Sequence, residues 1–441
     1  MDQNNTFQKY STYKDSGVEG LGDIPAHWTI TKLRNIGVFS ASGIDKYLKK
    51  NETEVKIINF TDVYANKAMI LDSSFDFMVV TTPESNRLKH LVNKGDLIFL
   101  PSSETYDDLG SAAVVNETLE NTSFSYHVIR MIFLIDICHS YRKYLTNNKF
   151  VANQFSRQGK GTTRKIIGRS VFKNIQVLLP PLPEQARIAH LLDQKTAQID
   201  QAIAQKERLI ELLKERKQIL IHNAVTRGLD PNVKMKDSGV EWIGEVPEHW
   251  EIKRAKFLFN EIDDRSNTGD EELLSVSHLT GVTPRSEKNV TMFQAEDYTG
   301  SKLCKKGDLV FNIMWAWMGA IGVSDRTGIV SPSYAIYRQK APDTFNTWFL
   351  ELLLTDSNYI DHYNRVSTGL HSSRLRFYSN MFFDMKIGFP PRDEQEKVVS
   401  FLRSATQKID IAINFKQSEI EKLKEYKATL INSAVTGKIK V

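Results

Sequence analysis

The stretch KDSGVEWIGEVPEHW, residues 236–250, repeats KDSGVEGLGDIPAHW, residues 14–28, at an offset of 222 positions. A fifteen-residue phrase that returns so far along one chain marks an internal repeat. Further echoes extend it. PPLPEQARIAHLL at 180–192 is answered by PPRDEQEKVVSFL at 390–402, and NAVTRG at 223–228 by NSAVTGK at 432–438, both at an offset of 210. KGDLIF at 94–99 returns as KGDLVF at 306–311 at an offset of 212. The falling offset places about a dozen extra residues inside the first copy while its ends are kept. The chain is therefore a tandem duplication with divergent middles.

Its 441 residues exceed what one hydrophobic core usually organises, which agrees with two copies. Hydrophobic residues make up 41% and charged residues 25%, the balance of a chain that buries a sizeable core. No apolar run is long enough for a membrane span, and MDQNNTFQKY carries no signal-peptide core, so the expected location is the cytoplasm. Cys138 and Cys304 form no CxxC or Cys/His cluster and read as reduced, half-buried hydrophobes, with no metal site expected.

The copies end in helical patterns. From Glu184 to Thr226, Leu192, Ile199, Ile203, Ile210, Leu213, Leu220 and Ala224 step at the spacing of one helix face. Leu402, Ile409, Ile413, Ile420, Leu423, Leu430 and Ala434 repeat those positions 210 residues on. A helix of this length is roughly 64 Å long, and a narrow seam on such a rod needs a partner helix, most economically its own copy. The alternative is two helices packed separately on globular bodies. Between the helices, residues 29–178 and 251–388 contain short β-rich runs broken by Gly, Asn, Asp and Ser, with a few helical pieces. They read as α+β domains. The expected division is a loose 1–13, domains over 14–178 and 229–388, and helical spacers over 179–228 and 389–441.

Net charge is only +5, yet no acidic residue occurs between Asp136 and Glu184, where nine Lys and Arg do. A second acid-free stretch lies between Asp361 and Asp384. SRQGKGTTR (156–164) aligns with VSTGLHSSR (366–374), so that Gly159 meets Gly369, Thr162 and Thr163 meet Ser372 and Ser373, and Arg164 meets Arg374. Hydroxyls suit phosphates and arginine can fork onto guanine, which makes Arg157, Lys160, Thr162, Thr163, Arg164, Lys165, Arg365, His371, Ser372, Ser373, Arg374 and Arg376 the candidate DNA contacts. A solvated basic face without a ligand is the alternative. Trp315 and Trp317 could stack on bases but read better as core, and His27 and His249 as packing and capping residues. GKGTT at 159–163 lacks the frame of a phosphate-binding loop, and no methyltransferase or nuclease constellation appears, so no catalytic residue is assigned.

The repeated phrase, the PPLPEQ and PPRDEQ helix starts, the NAVTRG and SAVTGK helix ends and NIMWAWMGAIG followed by GIVSPSYAIYR together resemble the specificity (S) subunit of type I restriction-modification systems over essentially the whole chain. The resemblance implies two target recognition domains, each reading one half of a split asymmetric DNA site. It also implies long antiparallel helices in a pseudo-twofold arrangement that set the spacing and dock two methyltransferase subunits, with restriction subunits joining the larger assembly. S-adenosylmethionine, ATP and Mg are then expected on those partners and no cofactor on this chain, which would choose the site and catalyse nothing. Rival classes are a helical docking scaffold with incidental basic loops and a single-chain DNA-modifying enzyme.

Overall fold

The computed structural model describes residues 8–64, 66–288, 297–369, 371 and 374–441. The chain divides into two compact units, Met1–Lys206 with Gln417–Val441, and Glu207–Lys416.

In the first unit the repeated phrase forms a hairpin, Tyr13–Asp15 against Asp23–Pro25. The strand that follows, Thr29–Lys32, pairs antiparallel with Gln176–Leu179, the strand that leads into the first long helix. The body is a five-stranded sheet in the order Gly37–Ser40, Ile129–Phe133, Leu97–Phe99, Ala112–Val115, Ile70–Leu71, beside a three-stranded sheet centred on Thr53–Ile58. Its central strand comes from KGDLIF, and successive side chains of a strand point to opposite faces. Leu97 and Phe99 enter the core that holds Trp28, Met131, Phe155 and Phe172, while Ile98 enters a second core with Ile58, Phe124 and Val128. A strand buried on both faces reads as a continuous apolar run, as this one does.

The second unit repeats the plan. Met235–Asp237 pairs with Glu245–Pro247, and Glu251–Arg254 with Lys386–Phe389. A four-stranded sheet runs Phe259–Ile262, Ala335–Gln339, Leu309–Phe311, Ile321–Val323. Leu309 and Phe311 face one core and Val310 another. The KGD turn explains its own recurrence. Gly95 and Gly307 sit at φ 93° and 91°, which side chains avoid. Asp96 and Asp308 accept the backbone N–H of Asn93 and Lys305 at 2.9 and 2.8 Å. Both carboxylates are buried and face an arginine of the neighbouring strand, Arg130 at 3.8 Å and Arg338 at 2.7 Å.

The long helices run Leu182–Arg227 and Arg392–Val435. Within the first unit, the early half of one lies antiparallel to the late half of the other, with ion pairs Asp200–Lys427 at 2.7 Å and Lys206–Glu419 at 2.9 Å. Leu192, Ile199, Ile420 and Leu430 are buried there, and Ile203 and Leu423 partly so. Within the second unit, Lys217 meets Asp410 at 2.7 Å, Ile210, Leu402 and Ile409 are buried, and Leu213, Leu220 and Ile413 are half-buried. The seam positions are thus buried or half-buried in both units. Packing on globular bodies also occurs, at the helix starts: Ile188, Ala189 and Leu192 belong to one core, and Val398, Val399 and Leu402 to another.

Candidate nucleic-acid interface

The basic loop of the first unit grows from the helix Lys149–Gln158, whose N-terminus is capped by Asn148 accepting from Val151 N at 3.1 Å. Val151 and Phe155 bury one face, so Arg157 and Lys160 are left outside. Lys160 and Ile166 exchange two backbone hydrogen bonds, 3.1 and 2.8 Å, and close the loop. A Cβ at Gly161 would lie 2.1 Å from the Arg164 carbonyl oxygen, so only glycine permits this closure. Lys165–Ile166 then pairs with Ser102–Ser103, and Ile167 N donates to Pro101 O at 2.9 Å, which fastens the loop to the end of the central strand.

Arg164 is exposed but held. Its Nε donates to Ser102 Oγ at 3.0 Å and its guanidinium lies 4.9 Å from the centroid of the Phe60 ring, which stacks on Tyr64 at 5.2 Å. Lys165 Nζ donates to the Gly161 and Thr162 carbonyls at 2.8 and 2.5 Å and lies 5.0 Å from the Tyr106 ring. Thr162 and Thr163 are exposed. His127, tilted against Tyr126 with ring centroids 3.8 Å apart, titrates below its ordinary value through burial and the charges of Lys46 and Arg164. Cations interleaved with exposed aromatics form the kind of surface on which nucleic acid binds. Arg157 stands apart from this group, in a groove with Lys149, Lys438 and the Gly17–Leu21 loop.

The second unit has the same loop on a different setting. The helix Ser357–Val366 is capped by Asp356, buries Tyr359 and Tyr363, and carries Arg365 in its exposed last turn. Thr368 and Arg376 exchange backbone hydrogen bonds at 3.1 and 2.8 Å, and Phe377 N donates to Ile313 O at 2.9 Å, as Ile167 does to Pro101. A Cβ at Gly369 would meet the Arg374 carbonyl oxygen at 2.3 Å. This corrects the sequence alignment: Gly369 plays the part of Gly161, not Gly159, because the second loop holds two more residues between glycine and arginine. His371, Arg374 and Arg376 are exposed, and Ser372 and Ser373 lie outside the described residues. Trp315, expected in the core, is 48% exposed and lies nearly parallel to Trp317, with ring centroids 6.0 Å apart. Trp317 Nε1 donates to Met314 O, closing a turn that leaves Trp315 outside.

His27 and His249 do pack against the helix starts. His27 Nε2 donates to Glu184 Oε1 at 2.7 Å and Trp28 Nε1 to Glu184 Oε2 at 2.9 Å, joined by Tyr10 OH at 3.1 Å. His249 and Trp250 grip Glu394 in the same way, at 2.6 and 3.1 Å. The neighbouring glutamine fastens the body: Gln185 accepts from Cys138 N and donates to Pro180 O, and Gln395 accepts from Asn346 N and donates to Pro390 O. Each repeated phrase is thus the clasp of one PPxxEQ helix start. Ser102, Phe60, Tyr64 and Tyr106 escaped the sequence reading, because nothing local says that residues so far back in the chain gather around Arg164 and Lys165.

No cluster of three or more His, Cys, Asp or Glu side chains able to hold a metal occurs among the described residues. Nor is any helix among them long and apolar enough to cross a membrane.

Residues 25–212 match the family model described as type I restriction modification DNA specificity domain. Over 459 aligned positions the chain is 24% identical to the type I restriction enzyme MjaVIII specificity subunit of Methanocaldococcus jannaschii, covering 99% of this chain and 97% of that one. The fold is similar to a chain in a structure of the assembly and conformational transition of a type I restriction-modification system, with a TM-score of 0.69 and 15% identity over 94% of this chain and 99% of that one. It is also similar to the HsdS subunit of Thermoanaerobacter tengcongensis, with a TM-score of 0.55 and 16% identity over 94% and 98%.

Proposed function

We propose that this chain, whose residues 25–212 match the type I restriction modification DNA specificity domain, is a specificity subunit whose two units each read one half of a bipartite, asymmetric DNA sequence for methyltransferase subunits that it recruits. The observation that carries this is the basic loop built twice on the same framework, fixed by glycine and tied to the end of the central strand, with unlike neighbours in the two copies. Equal placement with unlike chemistry is what two readers of different half-sites require. The chain is non-catalytic, and a member of this family supplies choice of site alone.

The exposed cations take phosphates and so position the duplex, and side chains that reach base edges specify it. The 46-residue first long helix is about 69 Å long, at 1.5 Å per residue, ample to set half-sites more than one duplex turn of about 34–36 Å apart. The two clasped phrases offer equivalent surfaces to two identical methyltransferase subunits, through which restriction subunits join. S-adenosylmethionine, ATP and Mg belong to those partners. Co-expression with a type I methyltransferase subunit, followed by mapping of N6-methyladenine, tests this. A single bipartite motif that appears only with this chain is the expected result. A stable complex without new methylation, and without salt-dependent DNA binding by this chain, would favour a docking scaffold.

A further inference from the structure

The two equivalent arginines are not equivalently held. The side chains of Arg374 and Arg376 are exposed and engage no partner among the described residues, which suits a group that finds a phosphate by charge. Arg164 is fixed from two directions: Ser102 takes the Nε–H, and the Phe60 ring, itself stacked on Tyr64, covers one face of the guanidinium. What stays free among the described residues is the Nη1/Nη2 edge. A guanidinium with Nε occupied can present only that end-on fork. Two parallel N–H donors match O6 and N7 of guanine on the major-groove edge, whereas adenine offers one acceptor and one donor there. Prior fixing also removes much of the rotamer entropy that a free arginine loses on forming a bidentate pair. Met314 lies in the second unit where the aligned sequence has Ser102 in the first, so Arg374 has no hydroxyl there to lock it.

On this geometry we infer that Arg164 is a specificity-determining residue that reads one guanine in the half-site of the first unit, with Ser102 and Phe60 as its positioning residues. Arg374 serves the backbone in the second. The inference rests on the DNA-reading role proposed above.

The test begins with the methylation motif of the wild-type chain bound to its methyltransferase partner. Duplexes carrying that motif are then compared with duplexes in which each guanine of one half-site in turn is replaced by 7-deazaguanine, which lacks the N7 acceptor. For the wild-type complex, one replacement should weaken binding on the order of 5- to 150-fold. For Arg164→Ala the same replacement should make no difference, while the other half-site is read as before. Ser102→Ala should give an intermediate loss at that guanine alone. Arg164 is exposed, so the alanine variant keeps the fold, and complex formation on a sizing column confirms it. Equal weakening on all duplexes with a shallower salt dependence would make Arg164 a phosphate contact and overturn the inference. So would unchanged binding, or half-sites without guanine. Absence of any site-specific methylation by the wild-type complex would instead remove the functional reading itself, and this inference with it.

Discussion

At the residue scale the strongest local device is Glu184, on which Tyr10, His27 and Trp28 converge. Burial alone would raise its pKa, but the hydrogen bonds from Trp28, His27 and Tyr10 and the charge of His27 outweigh it and hold the carboxyl below its ordinary value. A depressed carboxylate contributes stability above its unfolded pKa and loses it as pH falls through the folded one. Glu184→Gln should therefore cost about 1–3 kcal/mol at neutral pH, with wild type and variant converging as the medium is acidified below the carboxylate range. Thermal melts followed by tryptophan emission at several pH values check both parts. A gap between the two that is constant with pH would mean that the charge is not what the clasp uses. The sequence announced His27, Trp28 and Glu184 as repeated residues. It could not announce that they meet, because 156 positions separate Trp28 from Glu184 and only the pairing of Thr29–Lys32 with Gln176–Leu179 closes the distance.

At the element scale the two long helices were legible almost completely, because an apolar spacing of 3, 4 and 7 has one physical meaning and the second copy repeats it. Apolar residues off the seam give the control: Ile411 is 61% exposed on the same helix as the buried Ile409. Ile210→Asp should unpair the helices of the second unit and abolish stable association with the methyltransferase subunit, since a buried unpaired carboxylate costs several kcal/mol. Ile411→Asp should change helix pairing by less than about 0.5 kcal/mol. Circular dichroism melts and co-purification distinguish them, and equal damage from both would mean that the exposed face is itself an interface. The strands were less legible. Most are three to five residues long, and their partners lie far off in sequence: Leu97–Phe99 pairs with Ala112–Val115 on one side and Ile129–Phe133 on the other. Trp315 was misjudged for a related reason, since an apolar residue in a turn carries no periodicity to show which way it faces.

At the scale of the whole molecule, duplication was plain from the sequence, and so was the divergence of the two middles. Exchanging the loop 101–110 together with 159–166 for the equivalents of a relative with another target should change one half of the methylated motif and leave the other half and its methylation intact. Methylome mapping of the chimaera checks this, and a change in both halves would mean that the units do not read independently. The doubly buried central strand fixes where such change is tolerated. Leu97, Ile98 and Phe99 each serve one of two cores, as do Leu309, Val310 and Phe311, so an alteration in either trio must be accommodated on both sides of a sheet at once. Past Leu100 and Phe311 the alternation between two cores ends, leaving Leu109, Ala316 and Ile321 as single core contacts, and there the copies cease to resemble each other, PSSETYDDLG against IMWAWMGAIG. On the proposed reading, a lineage acquires a new target by rewriting that rim over a largely inherited interior, and its descendants should differ most in the dozen residues where the strand runs out.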